Sequence, residues 1–302
     1  MEKITLRQKY APYFAQLSQL SVAAGKIDDT NVYQPGNPNT RKIMDALVAD
    51  NIAPGSKIEG LENFDNFFDQ VSAGKHGLIL MEHYANTDLP AFTYMLEKYG
   101  DAKTAEIAKR IVAIAGMKLN EADPMVKAFA ESFTRVVIYP TRSLNSAEQK
   151  AQTEEEKNAE ELRARKINLA AMHAMDDCKR RGEVILVFPS GTRYRPGKPE
   201  TKRGLREIDS YLRLFDIVIL VSINGSVLTI DPDHSDDMLA DWVAPDKLIY
   251  AASPVIECKP FRKEYMASLP ADDPDPKQKM IDHVMNLLEA QHNRIEEIRL
   301  EK

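Results

Sequence analysis

The sequence predicts an α/β fold: a mixed, largely parallel sheet flanked by helices, with a small helical domain at the N-terminal side. Three observations predict it. Gly77–Met81, Val184–Phe188 and Ile217–Ile223 are short apolar runs, the mark of strands buried on both faces. Between them lie segments whose apolar positions recur at helical spacing. Strands that alternate with helices pack as layered α/β domains.

Residues 1–72 read as mostly helical and as a domain of their own. Arg41–Asp50 and Gly60–Val71 carry apolar residues three and four apart, and Tyr33-Gln34-Pro35-Gly36-Asn37-Pro38 is a turn between helices. Residues 73–302 form the expected α/β domain. There Gly77–Met81 is a strand and Asp88–Tyr99 a helix, and the β-branched Arg135–Tyr139 is a second strand. Ala147–Arg181 is one long polar helix or a pair. Its acids Glu154–Glu156 come first and Lys179-Arg180-Arg181-Gly182 last, the order that suits a helix dipole and a glycine stop. Val184–Phe188 and Ile217–Ile223 are buried strands, and Asp231–Asp241 is an acidic surface excursion. Met280, Ile281, Val284, Leu287, Leu288, Ile295 and Ile298 form the apolar stripe of a helix over Asp275–Lys302.

With 43% hydrophobic residues in 302, a sizeable core is expected. A net charge of −6 argues against a nucleic-acid partner. The N-terminal residues show no apolar signal core, and no apolar run approaches the roughly 20 residues of a membrane span. The expected compartment is therefore the cytoplasm, and any membrane contact is peripheral. Cys178 and Cys258 form no disulfide framework and read as structural, and the scattered histidines show no metal-ligand pairing. A monomer is the expected state. One stretch departs from the acidic whole. Arg193, Arg195, Lys198, Lys202, Arg203 and Arg206 stand close together with only Glu200 among them, a patch suited to an anionic ligand.

Two blocks carry candidate chemistry. Ligands of open α/β sheets bind beyond the carboxyl ends of strands. Glu82–Asp88, Pro140–Ser143 and Pro189–Gly197 each follow a predicted strand directly. His83 and Asp88 are five apart, too far around a continuous helix to face each other. They meet if His83 lies in the turn and Asp88 caps the next helix, with Pro90 in its first turn. The carboxylate would then fix the imidazole tautomer and leave the other nitrogen basic. The same spacing also fits an N-cap aspartate beside a surface histidine. Arg193 and Arg195 could hold a phosphate through charge-assisted hydrogen bonds, or form a solvated basic loop. Ser190 and Gly191 permit a tight turn or close backbone approach to a ligand. Ser190 is a poor nucleophile candidate, because Phe188 stands where an elbow motif needs glycine. Arg142 is the weakest candidate, equally readable as a surface charge.

Together these blocks resemble the glycerolipid acyltransferase superfamily, whose members carry N-H-x4-D and then F-P-E-G-T-R-S. Here the blocks read Glu82-His83-Tyr84-Ala85-Asn86-Thr87-Asp88 and Phe188-Pro189-Ser190-Gly191-Thr192-Arg193-Tyr194-Arg195-Pro196. Ser190, and Arg195 before Pro196, are more similar to the soluble glycerol-3-phosphate acyltransferases of plant plastids. Asp123–Phe129, Val136–Tyr139, the helix from Arg163 to Gly182 and Gly36-Asn37-Pro38 extend the likeness. Glu82 departs from the usual asparagine, and Ser143, after Arg142, stands where the plastid enzymes carry a histidine in a phosphate-binding basic pair.

The resemblance implies a transferase that moves a fatty acyl group from an acyl thioester to the sn-1 hydroxyl of glycerol 3-phosphate. His83 would be the general base and Asp88 its orienting partner. Arg142, Arg193 and Arg195 would hold the phosphate. No cofactor is implied beyond the co-substrate, either acyl-CoA or an acylated acyl carrier protein. Two alternatives stay open: a lysophosphatidic acid acyltransferase, and a non-catalytic lipid- or acyl-carrier-binding protein on the same fold.

Overall fold

A computed structural model describes residues 3–117, 119, 124–151, 153–235 and 237–301. Asp123, at the start of the Asp123–Phe129 segment, lies outside the described residues, as do Met1 and Glu2. In chain order the strands are β1 (Tyr33–Gln34), β2 (Lys57–Glu59), β3 (Gly77–Met81), β4 (Ile111–Gly116), β5 (Arg135–Ile138), β6 (Val184–Val187), β7 (Ile217–Asn224), β8 (Leu228–Thr229), β9 (Trp242–Val243), β10 (Ile249–Ala252) and β11 (Ile256–Glu257). The mixed, largely parallel α/β architecture is the one the sequence predicts.

The chain forms two compact units, each discontinuous in sequence. The first comprises Met1–Ala11, Asp45–Ile111 and Gly182–Lys302, the second Pro12–Met44 and Val112–Arg181. Residues 1–72, read as one helical domain, are therefore shared between them. The reason is β2, which pairs in parallel with β10 and draws the following helix, Leu61–Ser72, into the larger unit.

In that unit β3 lies between β6 and β7, parallel to both. Strand β10 runs antiparallel to β7 and continues to β2. Every residue of β3, β6 and β7 is buried, which explains why they are apolar throughout except for Ser222 and Asn224 near the end of β7. Helix Leu61–Ser72 buries Phe64, Phe67 and Val71. A methyl group on Gly77 would stand 2.6 Å from Phe67 and Val71, so glycine lets this helix approach the sheet. Helix Pro276–Leu300 buries Met280, Ile281, Val284, Leu288 and Ile295, and Ile295 packs on Ile249 and Ala251 of β10.

In the second unit β4 and β5 are parallel, and β1 pairs antiparallel with β5. The long polar segment resolves into a pair of helices, Thr141–Lys150 and Glu154–Arg180. Thr153 caps the second, its hydroxyl accepting from Glu156 N–H. Ala164 and Ile167 of this helix join Val137, Tyr139, Ile27, Val32 and Met117 in one cluster. Leu17, Ile43 and Ala128 make another. No helix among the described residues is long and apolar enough to cross a membrane.

Candidate active site

The two blocks leave neighbouring parallel strands, β3 and β6, at their carboxyl ends. After β3 the chain turns through Glu82–Thr87 into helix Asp88–Lys98. Thr87 occupies the N-cap position and Asp88 is the first helical residue, one place later than the sequence reading put it. The reason lies in what Asp88 does. Its buried carboxylate turns back, and Oδ2 accepts from the backbone N–H of Tyr84 at 2.6 Å and of Ala85 at 2.9 Å. The same oxygen lies 2.9 Å from His83 Nδ1. A proton on Nδ1 leaves Nε2 as the lone-pair nitrogen. The His83 side chain is 18% exposed, and its ring stacks on Phe188 at 4.0 Å between centroids. One face is packed, one nitrogen is fixed, and an edge reaches solvent.

The second block makes a compact turn. Phe188 C=O accepts from Gly191 N–H at 2.9 Å, and the Ser190 hydroxyl donates to Thr192 C=O at 2.7 Å. Ser190 is buried, so its hydroxyl builds the turn. Gly191 has φ +64°, and a Cβ there would lie 2.5 Å from Leu205, so both conformation and space favour glycine. Beyond the turn, Tyr194 N–H donates to His83 C=O at 2.7 Å. This bond ties the arginine loop to the histidine residue itself.

The arginines differ in setting. Arg193 is buried, and its Nη1 makes an ion pair with Asp241, which is also buried. Asp241 therefore does not belong to a surface excursion; it is the counter-ion of the loop. Its Oδ2 also lies 3.5 Å from Asn86 Nδ2, inside the first block. Burial pushes the Asp241 carboxyl up to about 6, with Arg193 pulling the other way. Arg195 is half-buried, its backbone N–H held by the Thr201 hydroxyl at 2.9 Å. Arg142 belongs to the other compact unit, exposed in the first turn of helix Thr141–Lys150.

Glu82 and His292 form a constellation that sequence reasoning missed. Glu82 is buried, and its Oε1 accepts from Tyr84 O–H at 2.9 Å. Its Oε2 accepts from Ile223 N–H at 2.9 Å and lies 2.9 Å from His292 Nδ1 on helix Pro276–Leu300. Burial and the Glu82 carboxylate raise the Tyr84 phenol above its ordinary value. The departure from asparagine thus gives this chain a buried acceptor that clamps β3, β7 and the last helix together. A charged residue straight after five apolar ones was the available signal, because a buried charge requires partners. Glu82→Ala leaves three donors without their acceptor and is expected to cost on the order of 3 kcal/mol. Urea unfolding would show this as a lower midpoint, and Glu82→Gln, which keeps the shape, should lose less.

The basic stretch after the loop is met by acids on one face of the last helix segment. Lys202 pairs with Glu289 at 3.0 Å, Arg203 with Asp282 at 3.7 Å and Arg206 with Asp275 at 3.4 Å. These exposed pairs are weak and can exchange partners.

Residues 56–219 match the family model described as Acyltransferase. The chain belongs to the acyltransferase family. The match embraces both blocks and the three parallel strands β3, β6 and β7 up to Ile219. It supports membership of the glycerolipid acyltransferase superfamily and, with it, an enzyme that transfers acyl groups. Asp241 and His292, which hold the two blocks from outside, lie beyond the matched acyltransferase segment. A comparison with curated proteins finds no match.

Proposed function

We propose that the chain transfers a fatty acyl group from an acyl thioester to the sn-1 hydroxyl of glycerol 3-phosphate. The observation that carries this reading is the His83–Asp88 pair, tied through Tyr194 N–H to a loop bearing two arginines. The base and the anion-binding groups stand on one rim, as a phosphorylated alcohol requires. His83 Nε2 takes the hydroxyl proton as the oxygen attacks the thioester carbonyl. The C–S bond breaks, and the imidazolium returns the proton to the departing thiolate. Asp88 holds the tautomer and stabilises the imidazolium. Base assistance of this kind contributes on the order of 10²–10⁴-fold, and holding two substrates together supplies much of the rest.

In this reading Arg195 binds the acceptor phosphate, and Arg193 does so while held in place by Asp241. The donor is acyl-CoA or an acylated carrier protein. Lys198–Arg206 suits the anionic part of either, with Asp275, Asp282 and Glu289 exchanged for it on binding.

A thioester-release assay on the purified protein tests the proposal. It pairs each donor with glycerol 3-phosphate, dihydroxyacetone phosphate and lysophosphatidic acid. Fastest turnover with glycerol 3-phosphate is expected, and preference for lysophosphatidic acid would replace the acceptor assignment. Arg195→Ala should raise the acceptor KM by about 10–100-fold, the loss of one charge-assisted contact of 1.5–3 kcal/mol, with a smaller change in kcat. An unchanged KM would remove Arg195 from the phosphate site.

A further inference from the structure

Helix Glu154–Arg180 turns Ala164, Ile167, Ala171, Met175 and Cys178 inward. On its opposite face Leu162, Leu169 and Met172 are 55%, 57% and 50% exposed. At 100° per residue these three fall on one stripe, with the exposed Arg165 and Lys166 beside them. Single exposed apolar residues are ordinary, but an aligned set is the kind of patch that marks a contact surface.

The charge order along the helix identifies the occupant. Glu154, Glu155 and Glu156 fill its first turn, and Lys179 and Arg180 its last. The midpoint of 154 and 180 is residue 167, and so is the midpoint of 162 and 172. A two-fold axis near residue 167 lays a second copy of the helix antiparallel on the first. Leu162 then meets Met172 of the second copy, and Glu154 comes opposite Arg180 of the second copy. Each contact occurs twice, as a two-fold interface requires. We propose that this face is a self-complementary interface between two copies of this chain.

A lipid surface fits the face less well. Glu154, Glu155, Asp176 and Asp177 are exposed at both ends of the apolar stripe, whereas a helix lying on anionic lipid carries cations there. Arg180 already pairs with Asp177 in its own helix. Both side chains are more than half exposed, so the pair is weak and exchangeable. The helix has 27 residues, about 40 Å at 1.5 Å each. One such helix pair is a small interface, so association should depend on concentration rather than be obligate.

Sedimentation of the full chain across the micromolar range tests this. The average mass should climb from 34.0 kDa toward twice that value. Leu162→Glu, on an exposed position that faces Met172 of the second copy, should keep a folded chain at single mass throughout. Glu154→Arg and Arg180→Glu should each weaken association several-fold, and the double variant should restore it. A single mass at all concentrations would overturn the proposal, as would a double variant no better than its parents. Equal weakening by Leu214→Glu, an exposed apolar position elsewhere, would mean non-specific association and overturn it too. So would a chain that stays single yet floats with phosphatidylglycerol vesicles.

Discussion

His83→Ala is expected to slow thioester release on the order of 10²–10⁴-fold in a protein that remains folded. The fold should survive because His83 contributes one hydrogen bond and one ring stack. Asp88 keeps its two backbone donors, Tyr84 and Ala85, so no buried charge is stranded. The loss should fall on kcat with little change in acceptor KM, because a base acts on the transition state. Asp88→Asn is the companion variant. An amide can still accept one backbone N–H, but it carries no charge to steady an imidazolium. Its rate should fall while circular dichroism stays native. A fully active His83→Ala protein would refute the role of this histidine.

Asp241→Ala should be among the most destabilising single changes, at about 3–5 kcal/mol. Arg193 and Asp241 are both buried. Removing the carboxylate leaves a guanidinium in a low-dielectric setting with its main counter-ion gone. Urea denaturation would register the loss as a lower midpoint with an unchanged slope. Asp241→Asn should cost less and has a second use. The Asp241 carboxyl sits at about 6, above its ordinary 3.8, because burial outweighs the arginine. The folded state therefore takes up this proton at higher pH than the unfolded state does. This group's contribution to stability is least favourable above pH 6 and grows as the pH falls toward 4. Relative to Asp241→Asn, the native protein should gain stability over that interval. A native protein that instead lost ground on acidification would show that the ion pair, not burial, governs the group.

The fold was legible where the sequence was monotonous. β3, β6 and β7 are buried throughout, so their apolar runs could be read as strands without knowing their neighbours. β4 was not legible, because Ile111–Gly116 follows helix Ala102–Arg110 with no breaker between them. Four residues of β10 give too short a pattern to separate from a loop. Cys258, read as structural, opens helix Cys258–Ser268; it is buried, and burial pushes its thiol up to about 12.

The candidate site was legible in its blocks and not in its supports. His83, Asp88, Arg193 and Arg195 announced themselves by spacing and order. Asp241 sits among other acids, and an acidic run on an acidic chain reads as surface. His292 is one of six histidines, and its partner Glu82 is 210 positions away. Local pattern carries no information about such pairs, because their reason for existing lies in the tertiary fold.

The clamp around Glu82 has a kinetic consequence. Two of its three partners stand 141 and 210 positions along the chain, and the strand that presents it pairs with β6 and β7, both far downstream. Closing loops of that size precedes any reward from the contacts they make. His83 and Asp88 are neighbours in sequence, but the frame around them forms only after distant segments have met. Catalytic competence should therefore be a late event in refolding, returning after helical signal has recovered.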